Sequence, residues 1–114
     1  MSNSLNNNIL VTIAIPAYKS TYLADAIQSA LLQTYSNIEL IIVDDDSPND
    51  LQSIVAQFDD PRIHYYRNEV NIGSQNVVKN WNRGLEYAKG EFFTLLCDDD
   101  LLEPEFVADL LTLA

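Results

Sequence analysis

The chain has 114 residues, enough for one domain, and its 47% apolar and 20% charged residues are typical of a soluble globular protein. Six basic residues against seventeen acidic ones give a formal net charge of -11, which excludes a nucleic-acid partner or a polybasic membrane-surface binder, since both need a positive face. The one cysteine excludes an internal disulfide, and no apolar run reaches the roughly 18 residues that span a bilayer.

Strand-like and helix-like segments alternate along the chain after an Asn- and Ser-rich start, residues 1–8, which we expect to be a disordered tail. Short β-branched apolar runs indicate strands, and apolar residues at helical spacing indicate helices. The predicted elements are strand 10–15, helix 22–32, strand 40–43, a helix with Ser47 as N-cap and Pro48 at its first position, strand 62–67, helix 74–88, strand 91–97 and a last helix opened by Pro104. Strand 62–67 is more polar than the others, which suits the edge of a sheet.

The last two helices each carry an apolar stripe. In helix 74–88 the residues predicted to point inward are Val77, Val78, Trp81, Leu85 and Ala88. In the last helix the apolar face consists of Phe106, Val107, Leu110 and Leu111. We expect this last face to pack on a further part of a longer protein or, without one, to promote self-association through the C-terminal helix.

Four strand–helix repeats predict an α/β fold: a Rossmann-like, three-layer α/β/α arrangement around a mainly parallel sheet of about four strands. In such sheets, ligands bind along the rim where the strands end. Two aspartate triplets, 44–46 and 98–100, each follow a predicted strand. We therefore expect them to share this rim although 54 residues separate them in the sequence.

Several carboxylates on one rim repel one another, and a bound cation relieves that repulsion. Their hard oxygen donors suit Mg²⁺, Mn²⁺ or Ca²⁺. The alternative is that each triplet is only a solvated strand-to-helix turn, since Asp is common there. The three glycines form neither a G-x-G-x-x-G turn nor a P-loop, so a bound diphosphate would need neutralisation by a divalent ion held on carboxylates.

Three residues that often carry chemistry are interpreted as structural. His64 has no second His or Cys near it in the sequence, which favours a surface or partly buried histidine over a metal ligand. Cys97 ends a predicted buried strand, so we expect a small apolar filler rather than a nucleophile. Trp81 lies on the apolar stripe of its helix and is predicted to be a core residue.

Six short segments together resemble the family 2 glycosyltransferases of the GT-A fold. They are residues 13–18 (IAIPAY), 43–47 (VDDDS), 71–73 (NIG), 80–84 (NWNRG, typical of a common subgroup), 90–92 (GEF) and 98–104 (DDDLLEP). Each motif is weak alone, but their order and spacing are specific. The resemblance covers residues 9–114 and implies that they form the nucleotide-diphospho-sugar-binding domain of that fold, truncated after its metal motif.

The resemblance also implies roles for particular residues. Pro16, Ala17 and Tyr18 would line the nucleobase pocket, with the Tyr18 ring against the base, and Asp45 would accept a hydrogen bond from the base. Asp98 would lie near the ribose. Asp99 would ligate a divalent cation, Mn²⁺ or Mg²⁺, with Asp100 as the second choice.

Three positions depart from the family pattern. Asp46 stands where many members have Gly, and Asp tolerates a left-handed turn better than most residues. Cys97 stands where many have an acid, which removes one possible ribose contact. Asn76 stands where some relatives have an Arg that contacts the nucleotide, with Lys79 one turn further on, so the identity of the nucleobase stays open.

The resemblance implies inverting, metal-assisted hexosyl transfer from a UDP-, GDP- or dTDP-sugar to a saccharide or lipid-linked acceptor in cell-envelope polysaccharide synthesis. We expect this chain to hold the donor-binding half, with the catalytic base beyond Ala114, in a cytoplasmic protein at or near the inner face of the membrane. One alternative is a phospho-accepting receiver domain, although receivers place their acid pair after the first strand, where this chain has Pro16, Ala17 and Tyr18. The other is a non-catalytic nucleotide-binding module.

Overall fold

The computed structural model describes residues 8–73 and 76–113, and strands and helices alternate throughout that part of the chain. Its elements are β1 (Val11–Ala17), α1 (Leu23–Leu31), β2 (Ile38–Asp44), α2 (Leu51–Val55), β3 (Ile63–Arg67), α3 (Val77–Tyr87), β4 (Phe92–Leu95) and α4 (Phe106–Leu113). Except for Asn8, the predicted tail lies outside the described residues.

The four strands form one parallel sheet in the order β3-β2-β1-β4. Val11 of β1 pairs with Ile38 of β2 on one side and with Phe92 of β4 on the other. The parallel sheet and the edge position of β3 are therefore confirmed. Because the strands run in the same direction, the loops that follow β1, β2 and β4 meet at one rim of the sheet.

Side chains of the strands alternate between two apolar layers, which confirms the three-layer architecture. Val11, Ile13 and Ile15 of β1 belong to the larger layer, which also contains residues of α1, α2 and α4. Ala14 of β1 faces the other side, in a smaller layer with Ile41 and Val43 of β2. Helix α3 covers that second side.

The orientation of α3 differs from the prediction. Its buried residues are Asn80 and Gly84, whereas the predicted inward residues Val77, Val78, Trp81 and Leu85 are exposed. A Cβ on Gly84 would lie 2.9 Å from the Cβ of Ala14, so glycine is what allows this face of the helix to approach the sheet. The prediction that Trp81 is a core residue was therefore wrong.

Helix α2 begins later than predicted. Asp50, not Ser47, is the N-cap: its side chain accepts a hydrogen bond from the Ser53 backbone N–H at 3.2 Å. Ser47 instead donates its backbone N–H to the Asp44 carboxylate at 2.9 Å, which holds it in the turn after β2. Pro48 consequently lies in that turn rather than at the first helical position.

Helix α4 packs on the core of its own chain. Val107 is fully buried, and Phe106 and Leu111 lie against the same apolar layer as α1. Much of the predicted apolar face is thus covered, and self-association through this helix stays a prediction. Among the described residues, no helix has the length and apolar character needed to cross a bilayer. His64 is exposed, as the sequence pattern predicted.

Candidate functional site

A cavity of about 640 Å³ opens at the rim where the strands end. The residues that line it are Pro16, Tyr18, Lys19, Asp45, Asn71, Gly73, Val77, Asn80, Trp81, Cys97, Asp98 and Asp99. The cavity joins Asp45 of the first triplet to Asp98 and Asp99 of the second. The prediction that both triplets share one rim is confirmed.

Asp45 is the buried acid of the cavity, with an exposed fraction of 3%. Its Oδ1 accepts hydrogen bonds from the Ile72 backbone N–H at 2.8 Å and from Asn68 Nδ2 at 2.9 Å, and its Oδ2 accepts from the Gly73 N–H at 2.8 Å. Its own N–H donates to the Ala17 carbonyl at 2.9 Å. These neutral donors satisfy a buried carboxylate and fix its direction toward the cavity.

The two neighbours of Asp45 stabilise the turn that carries it. Asp44 is buried and accepts hydrogen bonds from the Tyr65 hydroxyl and from Arg67 Nη1, the latter at 2.7 Å. Burial and the Asp44 carboxylate raise the pKa of Tyr65 to about 12. Arg67 Nη2 also binds Asp46 at 2.9 Å, and Asp46 has a φ of 53°, the left-handed conformation that its residue type tolerates.

Asp98 ties two loops together across the cavity mouth. One of its oxygens, Oδ2, accepts hydrogen bonds from the backbone N–H groups of Tyr18 and Lys19, both at 2.8 Å. The Tyr18 carbonyl accepts from Ser47 and from Asn49 Nδ2, the latter at 3.2 Å. The backbone of Tyr18 is thus held from both sides, while the residue stays 41% exposed at the rim.

Asp99 and Asp100 form an exposed donor group with Cys97: one ligand atom from each lies within 4.8 Å of the others. Cys97 differs from the prediction of an apolar filler, because β4 ends at Leu95 and Cys97 is exposed at the cavity. Burial raises the pKa of its thiol, and the carboxylates of Asp100, Asp99 and Asp98 raise it further. The two hard carboxylates fit Mg²⁺ or Mn²⁺.

The structure places the remaining predicted site residues as follows. Pro16 lines the cavity, whereas the Ala17 side chain is fully buried in the core and only its carbonyl supports the site. Asn76 is the N-cap of α3, accepting from the Lys79 backbone N–H at 2.9 Å. Asn76 and Lys79 line a neighbouring cavity of about 630 Å³, which shares Asn71 with the first.

The sequence interpretation missed two buried asparagines behind Asp45. Asn68 follows β3 and donates to both Asp45 and Asn80, each at 2.9 Å. Asn80 lies on α3 and lines the cavity. The segment NWNRG, residues 80–84, contains Asn80 but indicates no contact for it, and Asn68, between Arg67 and Glu69, belongs to none of the motifs.

Comparison with known proteins gives a consistent result. Residues 12–114 match the family model described as Glycosyl transferase family 2. The putative colanic acid biosynthesis glycosyl transferase WcaA of Escherichia coli K12 is 42% identical over 103 residues, covering 88% of this chain and 36% of that protein. The Escherichia coli UDP-Glc:alpha-D-GlcNAc-diphosphoundecaprenol beta-1,3-glucosyltransferase WfgD is 38% identical over 96 residues, covering 83% of this chain and 37% of that protein.

Among solved structures, S. aureus TarS 1-349 in complex with UDP-GlcNAc is similar, with a TM-score of 0.81 and 25% identity. The similarity covers 91% of this chain and 30% of the TarS chain. The matched part of the chain therefore covers about a third of each of these three proteins.

Proposed function

The chain belongs to glycosyl transferase family 2, and from that premise we propose that its cavity binds the nucleoside diphosphate part of a sugar donor for hexosyl transfer. The observation that carries this function is the cavity itself, which brings Asp45 and Asp99 together at the rim of the sheet. UDP-sugars are the first choice of donor, because the WfgD name specifies UDP-Glc and the TarS structure contains UDP-GlcNAc.

The base would lie at the Asp45 end of the cavity. Asp45 is fixed by three donors and faces the cavity, so it would accept a hydrogen bond from a base N–H. The exposed ring of Tyr18 offers a stacking surface, and Pro16 lines the same wall. We assign the base to the cavity that contains Asp45, Tyr18 and Pro16. Asn76 and Lys79 line the neighbouring cavity instead.

The diphosphate would lie at the Asp99 end. With a net charge of -11, the chain has little positive charge of its own with which to neutralise it. Asp99 and, beside it, Asp100 would hold Mn²⁺ or Mg²⁺, which when bound neutralises charge on the departing diphosphate. Asp98 would lie near the ribose while holding Tyr18 in place through its hydrogen bonds.

The acceptor site and the catalytic base would belong to a longer protein, by analogy with relatives more than twice the length of this chain. A general base must lie within hydrogen-bond reach of the acceptor hydroxyl. We therefore expect this chain to bind the donor without transferring the sugar. The acceptor class we propose is a saccharide or a lipid-linked saccharide, which would place the longer protein at the inner face of the membrane.

Isothermal titration calorimetry with UDP, GDP and dTDP, each with and without Mn²⁺, tests this function. We expect one nucleotide per chain and binding that depends on Mn²⁺. Asp99→Asn should weaken the Mn²⁺-dependent part at least tenfold, whereas the control Asp59→Asn removes an exposed charge outside the cavity and should change it less than twofold. Binding of none of the three nucleotides would contradict the proposed function.

A further inference from the structure

Asn80 is a polar side chain that is almost completely buried and still reaches the cavity. It lies in the middle of α3, its exposed fraction is 6%, and it lines the cavity wall beside Asp45. A buried amide normally has partners for both its oxygen and its nitrogen. The partners of Asn80 therefore indicate what this part of the cavity is built to contact.

The hydrogen bonds fix which way the amide points. Both oxygens of Asp45 accept from backbone N–H groups, so the atom of Asn68 that lies 2.9 Å from Asp45 must be the donor, Nδ2. The same Nδ2 lies 2.9 Å from Asn80, whose atom there must be the acceptor, Oδ1. Arg83 Nε donates to Asn68 Oδ1 at 3.4 Å, which agrees with this orientation.

The Nδ2 of Asn80 is consequently the atom left to face the cavity. Within residues 8–73 and 76–113 this Nδ2 donates no hydrogen bond, and no fully buried side-chain nitrogen or oxygen in those ranges lacks a partner, so this atom is open to the cavity. A Cβ on Gly73 would lie 3.6 Å from Asn80 Nδ2 and 2.8 Å from Asp45 Oδ2. A free donor and a carboxylate acceptor thus lie close together beside Gly73.

We propose that Asn80 is a specificity-determining residue of the donor site: its Nδ2 donates to the C4 carbonyl of uracil or thymine, or the C6 carbonyl of guanine, next to the ring N–H from which Asp45 accepts a hydrogen bond. This rests on the proposed function, and it names the chemical feature recognised, the –N(H)–C(=O)– edge of uracil, thymine or guanine. Cytosine and adenine carry a ring nitrogen with a lone pair and no hydrogen at that position. A carboxylate facing that lone pair weakens binding, and the amino group at C4 of cytosine or C6 of adenine leaves the Asn80 donor without an acceptor.

The isosteric variant Asn80→Asp tests this role. It keeps the oxygen that accepts from Asn68 and replaces the free donor with an acceptor. Calorimetry with UDP and CDP in Mn²⁺ should show that the wild-type preference for UDP is reduced at least tenfold in the variant. A general effect of the added charge on diphosphate binding cancels in this ratio. Asn82→Asp adds the same charge on an exposed position of α3 and should keep the ratio within twofold.

A second measurement needs only the wild-type chain. In 4-thio-UDP and 2-thio-UDP, one carbonyl oxygen is replaced by sulfur, a weaker acceptor. We expect 4-thio-UDP to bind at least fivefold more weakly than UDP and than 2-thio-UDP.

Two results would overturn the role of Asn80 while leaving the nucleotide site intact: UDP binding with an unchanged UDP-to-CDP ratio in Asn80→Asp, or equal binding of UDP and 4-thio-UDP. Failure of the wild-type chain to bind any of these nucleotides would overturn the proposed function together with it.

Discussion

Asp98 either links two loops through its hydrogen bonds or only adds negative charge to the second triplet, and replacing it distinguishes these two possibilities. Its Oδ2 accepts two backbone N–H groups, of Tyr18 and Lys19, at 2.8 Å each. Asp98→Asn keeps an oxygen that can accept both bonds but removes the charge, whereas Asp98→Ala removes the acceptor. The two variants therefore measure the charge and the geometry separately.

The expected loss in the free energy of unfolding follows from the two hydrogen bonds that Asp98 accepts. A hydrogen bond to a charged group contributes about 1.5–3 kcal/mol and a neutral one about 0.5–1.5 kcal/mol. Both bonds are near solvent, so water partly replaces them. We expect Asp98→Asn to lower the free energy of unfolding by about 1 kcal/mol and Asp98→Ala by about 2–3 kcal/mol. Asp98→Ala should also weaken UDP binding roughly tenfold, because Tyr18 loses one of its two anchors.

Urea denaturation followed by circular dichroism and by the fluorescence of Trp81, the single tryptophan, measures these free energies. Asp100→Ala is the matched control, because it removes the same charge from the same loop and should change stability by less than about 0.5 kcal/mol. If Asp98→Ala and Asp100→Ala have equal effects, or if Asp98→Asn is as unstable as Asp98→Ala, Asp98 does not act by holding the Tyr18 backbone.

Three further substitutions test the fold around the site. Gly84→Ala should lower the free energy of unfolding by about 1–3 kcal/mol, because the new methyl group would lie 2.9 Å from the Ala14 Cβ, and adding Ala14→Gly should restore part of the loss in a thermal melt. Asp46→Gly should be about 1 kcal/mol more stable than Asp46→Ala in urea, since both lack the carboxylate but only glycine adopts a φ of 53° without strain. The pKa of Tyr65 is raised to about 12, so the stability that wild type gains over Tyr65→Phe should be fully present below pH 10 and disappear as pH rises toward 12. A stability difference that stays unchanged between pH 10 and pH 12 would contradict the contact with Asp44.

The strand–helix order, the parallel sheet and the shared rim were predictable because each depends on short-range patterns. A β-branched apolar run such as residues 10–15 indicates a buried strand whatever surrounds it. Parallel strands then place the loops after them at the same rim, which is how Asp45 and Asp99 could be assigned to one cavity.

The face that α3 buries was not predictable in the same way. Its apolar stripe, which includes Trp81, suggested one face, but the helix packs through Asn80 and Gly84. Burial of Asn80 is favourable only because Asn68, from another part of the chain, donates to it. Hydrogen-bond partners distant in sequence leave no local periodic signal.

The same limit applies to individual aspartates. The triplets indicated that acids lie at the rim, but they did not indicate which groups each acid contacts. Asp44 supports the turn with Tyr65 and Arg67, and only Asp45 of its triplet lines the cavity. Asp98 accepts hydrogen bonds from backbone N–H groups 79 and 80 residues away, and these contacts exist only after the sheet has formed.

A crystal structure of this chain with UDP and Mn²⁺ tests most directly whether the two triplets serve one ligand. We expect an anomalous manganese peak at Asp99, the diphosphate beside it, and the uracil edge against Asp45 and Asn80. Manganese bound away from Asp99, or a nucleotide outside the cavity between β1, β2 and β4, would contradict this account.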